Sequence, residues 1–285
     1  MRYYRYWAKS NSRRLRPNNY PISAWGYSNE SQSEAERLAV QRADEKISQL
    51  QQQPSAEEAY GYGMGLLPEQ LIEELAFDGQ VVAIITRNNY GCLVLNASNV
   101  LFADIDLPEP PLGFWGSLKT MFGQDATEST NAPTIDPGLL EKIQNLCADD
   151  PQFGLRLYKT KAGYRAAITH RVFEPGSREA DKLLEQLGSD KLYVRLCERQ
   201  ACFRARLTPK PWRLKISNVP TRYPFKTADH KKWFENWVAG YEKASKAYSV
   251  CKPLGNFGNP QIADNVELVL QVHDLYCCGD PIQLA

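Results

Sequence analysis

Residues 81–86, 93–95 and 100–105 are three short apolar runs in quick succession. Only Asn88-Asn89-Tyr90-Gly91 and Asn96-Ala97-Ser98-Asn99 separate them. Apolar runs this short, bounded by turn-forming Asn and Gly, predict a β-meander or part of a mixed sheet. No apolar run reaches the roughly 18 residues that a membrane-spanning helix needs, so no membrane partner is expected. At 43% hydrophobic and 24% charged, the chain sits in the globular range and is not disordered along its length. Its 285 residues allow one or two domains.

The expected fold class is α+β. A mixed β-sheet core carries packed helices, with a small N-terminal ββα unit and a C-terminal helical segment. The N-terminal unit covers residues 1–60. It holds aromatic extended pieces at 3–7 and 20–27, then Ala35, Leu38, Ala39, Ala43, Ile47 and Leu50 at helical spacing. The core domain covers 61–285 and includes a Pro-, Ser- and Thr-rich loop insertion at 107–137. Residues 60–65 read as a glycine-rich loop or irregular strand that lacks a phosphate-loop ending. Further expectations are a short helix over 67–76, a helix from 137 to 147 and strands at 153–158 and 164–169. A helix over 177–187, strand-like runs at 193–197 and 201–207 and a helix over 227–247 follow. Residues 266–272 read as a last strand or short helix. The stripe of Trp233, Phe234, Trp237 and Tyr241 reads as packing.

The net charge of +1 hides a segregation. Residues 156–226 hold 17 Lys and Arg against 6 Asp and Glu, while the rest of the chain is acidic. This predicts either a positive surface for an anion or a basic face paired within the chain. Seven cysteines without a regular framework suit free thiols in a reducing cytoplasm. The N-terminus has no apolar stretch of a secretory signal, so a cytoplasmic location is expected.

Chemistry concentrates in three places. Phe102-Ala103-Asp104-Ile105-Asp106 puts two carboxylates at i and i+2 of a strand, on one face. Their mutual repulsion invites a divalent cation, Mg²⁺ or Mn²⁺, that could hold phosphates. Tyr158-Lys159-Thr160-Lys161-Ala162-Gly163-Tyr164-Arg165 reads as a basic turn between strands, with Lys159, Lys161 and Arg165 of one parity. Arg204 and Arg206 share a strand face, and Lys210, Trp212 and Arg213 follow in a Pro-stiffened segment suited to phosphates and a stacked base. Alternatively, Arg204 and Arg206 pair with Asp104 and Asp106 as an internal network. The scattered His170, His230 and His273, and the cysteine spacings, predict no structural zinc.

A strand ending in Asp-x-Asp, then a helix, then strand–basic turn–strand, resembles the catalytic core of the archaeo-eukaryotic primase and primase-polymerase superfamily, over residues 80–215. The resemblance implies a primase-like, RRM-like sheet with metal on Asp104 and Asp106. Residues 159–165 would stand at the nucleotide-phosphate motif, with Arg165 or His170 in place of the usual His. Asp190 and Asp274 are the candidates for the family's third acid. The whole chain also resembles an uncharacterised bacterial family with the same Asp-x-Asp and Arg-x-Arg-Leu-Thr-Pro-Lys-Pro-Trp-Arg stretches.

The expected function is binding of a nucleotide or nucleic acid, with divalent-metal-dependent phosphoryl or nucleotidyl transfer. Asp104 and Asp106 would be the catalytic and metal residues. Lys159, Lys161, Arg165, His170, Arg204, Arg206, Lys210, Trp212 and Arg213 would contact phosphate or nucleic acid. The alternatives are a non-catalytic nucleic-acid-binding module, or an interaction scaffold whose acidic and arginine motifs pair internally.

Overall fold

The computed structural model describes residues 1–15, 20–52, 66, 68–107, 135–279 and 283–285. The 60–65 loop and most of the 107–137 insertion lie outside them. The architecture is α+β, as expected, but all pairings of the named strands are antiparallel rather than mixed.

At the N-terminus β1 (Tyr6–Lys9) pairs with β4 (Trp25–Ser28), and β2 (Arg13–Leu15) pairs with β3 (Tyr20–Ile22). Helix α1 (Gln32–Gln52) packs Ala35 and Ala39 against Ala8. The anticipated ββα unit is thus built from two strand pairs rather than one, with Arg13–Leu15 in a strand of its own.

The core holds two four-stranded sheets. One has the order β5 (Gln70–Phe77), β6 (Gln80–Arg87), β7 (Leu93–Ala97), β11 (Phe203–Arg206). The other has the order β8 (Phe102–Asp106), β10 (Gly163–Ile168), β9 (Gly154–Thr160), β12 (Cys251–Gly258). β8 and β11 contact each other, so the sheets meet along those edges. Helices α2 (Pro137–Asp149), α3 (Arg178–Leu187) and α6 (Asp264–Cys277) contribute Ile143, Leu184 and Leu270 to one continuous core with both sheets.

Three local expectations are corrected. The helix expected over 67–76 is not formed by its described residues: 70–76 lie in β5, which turns directly into β6 through Asp78-Gly79, with φ of 49° and 75°. Positive φ at both central residues is the type I′ geometry that matches strand twist, and Asp-Gly is a favoured pair for it. Residues 193–197 are not a strand but part of helix α4 (Lys191–Gln200), because Asp190 caps it by accepting from Tyr193 N at 2.8 Å. Residues 266–272 lie inside the 14-residue α6. Before it comes β12, a strand the sequence hides behind Pro253, Gly255 and Gly258.

Helix α5 (Ala228–Ser245) starts at Thr227, which caps it by accepting from His230 N. It buries Phe234 and Tyr241, and Trp237 stacks on Tyr241 at 5.0 Å. The stripe is packing, apart from the exposed Trp233.

Candidate functional site

Strand β8 alternates as its sequence requires. Ala103 and Ile105 are buried, Asp104 is half-buried and Asp106 exposed. The two carboxylates therefore share a face, about 6.5–7 Å apart along the strand. The outer edge of β8 is held by the α3–α4 loop. Asp104 N donates to Ser189 Oγ, while Ser189 Oγ and Asp190 N donate to Asp104 O at 3.1 and 2.9 Å. On the inner edge β10 approaches so closely that a Cβ on Gly163 would lie 2.0 Å from Ile105 O. Glycine is what permits Gly163 to sit opposite Asp106.

A cleft of about 840 Å³ opens where β8 meets β11. One wall carries Asp104 and Asp106, and the other carries Arg206, Lys210 and Arg213. Lys161, exposed in the two-residue β9–β10 turn, lies at its mouth. Tyr193 ties the walls together. Its hydroxyl donates to Phe102 O at 2.7 Å and accepts from Arg204 N at 3.2 Å. The segment carrying Lys210 is anchored by Tyr241, whose hydroxyl donates to Pro209 O at 2.6 Å.

Seven Lys and Arg side chains line the cleft against two carboxylates. Among the described residues, none of Asp104, Asp106, Lys161, Arg206, Lys210 and Arg213 has an ion-pair partner within 4.0 Å. The internal pairing of the arginines with Asp104 and Asp106 is therefore corrected. Arg206 donates to Thr208 O instead.

Like charges push on one another here. Burial, then Asp104 and Asp190, raise the Asp106 carboxyl above its ordinary value, against the pull of Lys210 and Arg213. Burial, then Arg206 and Arg213, lower the Lys210 ammonium, against the pull of Asp104 and Asp106. A divalent cation at the acids and an anion at the bases would relieve both. The oxygen donors suit Mg²⁺ or Mn²⁺.

Of the two candidate third acids, Asp190 is close enough to raise Asp106, and its own carboxylate caps α4. The three carboxylates do not close to within 4.8 Å of one another. Asp274 lies elsewhere, bonded to His273, Tyr158 and Arg156.

Several expected contacts are committed to partners within the chain, although Arg204, Arg165 and Lys159 also border the cleft. Arg204 lies in a buried network, donating to Glu69 Oε1 at 2.7 Å and to Gln200. Arg165 is opposite Asp104 in register but only 4% exposed, with Nη1 donating to Arg206 O at 3.0 Å. Burial opposes its charge, but Cys251, Cys277 and Asp104 hold it as a cation. Lys159 belongs to β9 rather than the turn. It pairs in register with Tyr164, so its parity is opposite to that of Arg165, and its ammonium lies over the Tyr164 ring at 4.2 Å. His170 lies beyond the far end of β10, accepting from Gly154 N and packed between Phe153 and Phe173. Burial lowers its basicity, and it does not line the cleft. Trp212 is 49% exposed on the 3-10 turn Pro211–Leu214, edge-on to the exposed Tyr90 at 5.4 Å and next in sequence to Arg213.

Tyr193 and Ser189 are the site residues that sequence reasoning missed. The Ser189-Asp190 helix start, with Tyr193, Val194 and Cys197 at helical spacing, was the available signal. No family model, no curated protein and no solved structure matches this chain.

Proposed function

We propose that the β8–β11 cleft binds the phosphates of a nucleotide or nucleic acid and carries divalent-metal-dependent phosphoryl or nucleotidyl transfer. One observation carries this reading: two carboxylates and a set of cations line the same cleft with no ion-pair partner within 4.0 Å among the described residues, and each set repels itself. Asp104 and Asp106 would hold Mg²⁺ or Mn²⁺, which supplies Lewis-acid polarisation of a phosphoryl oxygen. Lys161, Arg206, Lys210 and Arg213 bind phosphate oxygens and offset charge that develops on them. Arg165 backs Asp104 from the interior. Trp212 and Tyr90, exposed beside the basic segment, offer a face to a base.

The test is thermal stabilisation by Mn²⁺, with and without a nucleoside triphosphate, on wild type and Asp104→Asn. A shift that needs both Mn²⁺ and Asp104 is expected. Equal shifts in the two proteins overturn the metal assignment. A second reading, nucleic-acid binding without catalysis, is favoured by the seven-to-two excess of basic groups in the cleft. Under it, Asp104→Asn leaves binding of a single-stranded oligonucleotide unchanged or strengthens it.

A further inference from the structure

Sequence spacing argues against a zinc site, yet the fold assembles three metal-type donors away from the carboxylates. Cys251 opens β12, while His273 and Cys277 stand at i and i+4 on α6. The end of α6 meets the start of β12 through Val250 N donating to Cys277 O at 3.0 Å. The two sulfurs and a ring nitrogen of His273 all lie within 4.8 Å of one another, and all three residues are buried. Tetrahedral zinc, with bonds of about 2.0–2.3 Å, needs donor separations of about 3.6–3.8 Å, so small side-chain adjustments suffice.

The surroundings have the form of a metal site's supporting shell. His273 Nδ1 lies 2.8 Å from Asp274 Oδ1. An ionised carboxylate only accepts, so Nδ1 is a donor, and the guanidinium of Arg165, which only donates, meets a lone pair on Nε2 at 3.0 Å. Asp274 is fixed in turn by Tyr158 Oη and Arg156 Nη1, each donating at 2.7 Å. A histidine held this way by a carboxylate is oriented for metal binding. The donors also already face a cation: Arg165 Nη1 lies 3.0 Å from His273 Nε2 and 3.8 Å from Cys277 Sγ. Arg165 has no carboxylate within 4.0 Å among the described residues. It lines the cleft as well.

We propose that Cys251, His273 and Cys277 form a binding site for a thiophilic divalent cation, Zn²⁺, with Asp274 orienting the histidine and Arg165 as the cation that yields its place. Two thiolates and an imidazole select soft or borderline metals over Mg²⁺. Three protein donors leave a fourth position on the Arg165 side. Binding places two thiolates against a dication, and Arg165 is then free to turn to Asp104, its cross-strand neighbour. The site is independent of the proposed cleft chemistry, whose oxygen donors give no thiolate signature.

The experiment is Co²⁺ titration of the reduced full-length wild-type protein, followed by Zn²⁺ competition and alkylation mapping of the cysteines. Expected are one equivalent of Co²⁺, near-ultraviolet thiolate-to-cobalt absorption, and its loss on adding Zn²⁺. Cys251 and Cys277 should be protected from alkylation by Zn²⁺ while Cys147 is not. Asp104→Asn keeps the band. Asp274→Asn weakens Zn²⁺ binding about 10–100-fold, the usual effect of removing a histidine's supporting carboxylate. Folded wild type without the thiolate band overturns the proposal, as does a band that survives Cys277→Ser. A Cys251–Cys277 disulfide in the freshly purified protein overturns it too.

Discussion

Arg204 and Arg206 stand two residues apart on one face of β11 and belong to two different regions. Arg204 is enclosed: with Glu69 it forms an ion pair whose side chains are 10% and 14% exposed. Glu69 also accepts from Thr86, and Asn96 donates to Thr86 at 2.9 Å. Arg206 faces the cleft, has Thr208 O as its side-chain partner among the described residues, and has Lys210 and Arg213 as like-charged neighbours. The residue type and the strand face are the same, so the difference lies in what the rest of the chain brings alongside. Desolvated charge is retained cheaply only where it is paired. Where like charges are kept together, half-buried, with no ion-pair partner among the described residues, the proposed ligand would supply the compensation.

The sharpest way to break this comparison is to remove one partner in the enclosed region. Glu69→Ala leaves Arg204 buried without a counter-charge. It should cost about 3 kcal/mol, the low end for breaking a buried pair, read as a lower urea midpoint. Arg206→Ala should behave oppositely. Its stability should change by about 0.5 kcal/mol or less, as for surface substitutions. Its affinity for single-stranded oligonucleotide should fall, and the slope of log K against log salt should become shallower by about 0.7, one phosphate contact. Similar stability losses in both variants would erase the distinction.

A second test acts on the backbone that presents the acids. Gly163→Ala puts a Cβ against Ile105 O and Asp106 Cα. Overpacking of this kind should cost about 2 kcal/mol, and it displaces the acidic end of β8. Mn²⁺ stabilisation should be lost although Asp104 and Asp106 remain. Gly79→Ala is the control: φ is +75° there but no atom lies within 4 Å, so only the backbone cost of about 1 kcal/mol applies. Mn²⁺ stabilisation persisting in Gly163→Ala would show that the close approach does not position the carboxylates.

The acidic wall was legible because strand alternation depends only on neighbours. Asp104 and Asp106 share a face wherever β8 goes, and Arg204 with Arg206 likewise. Which arginine is free was not legible, since Glu69 lies 135 positions from Arg204. Leu71, Ile72 and Leu75 mimic helical spacing, and the Asp78-Gly79 turn, which decides for a hairpin, lies just outside that window. β12 is an edge strand with a bulge between Pro253 and Gly255, so its composition reads as loop. The Cys251, His273 and Cys277 cluster is a product of tertiary packing, because β12 and the end of α6 are brought together only by folding.

The smallest expected effect is the most discriminating about the acids. Burial and the neighbouring Asp104 and Asp190 raise the Asp106 carboxyl above its ordinary 3.8. The folded state therefore holds that proton more tightly than the unfolded state. Asp106 costs no stability below pH 3.8, and the penalty grows as pH rises through the raised value and is complete at neutral pH. Asp106→Asn should accordingly raise Tm at pH 7, by about 1 °C given the group's exposure. The gain should fade as pH falls toward 3.8, where the wild-type carboxyl is protonated as well. Saturating Mn²⁺ should reverse the order, because the ion offsets in the wild type the repulsion that the amide removes. A variant that is less stable than wild type at pH 7 without metal would mean that Asp106 is held by the basic wall rather than strained by its acidic neighbours.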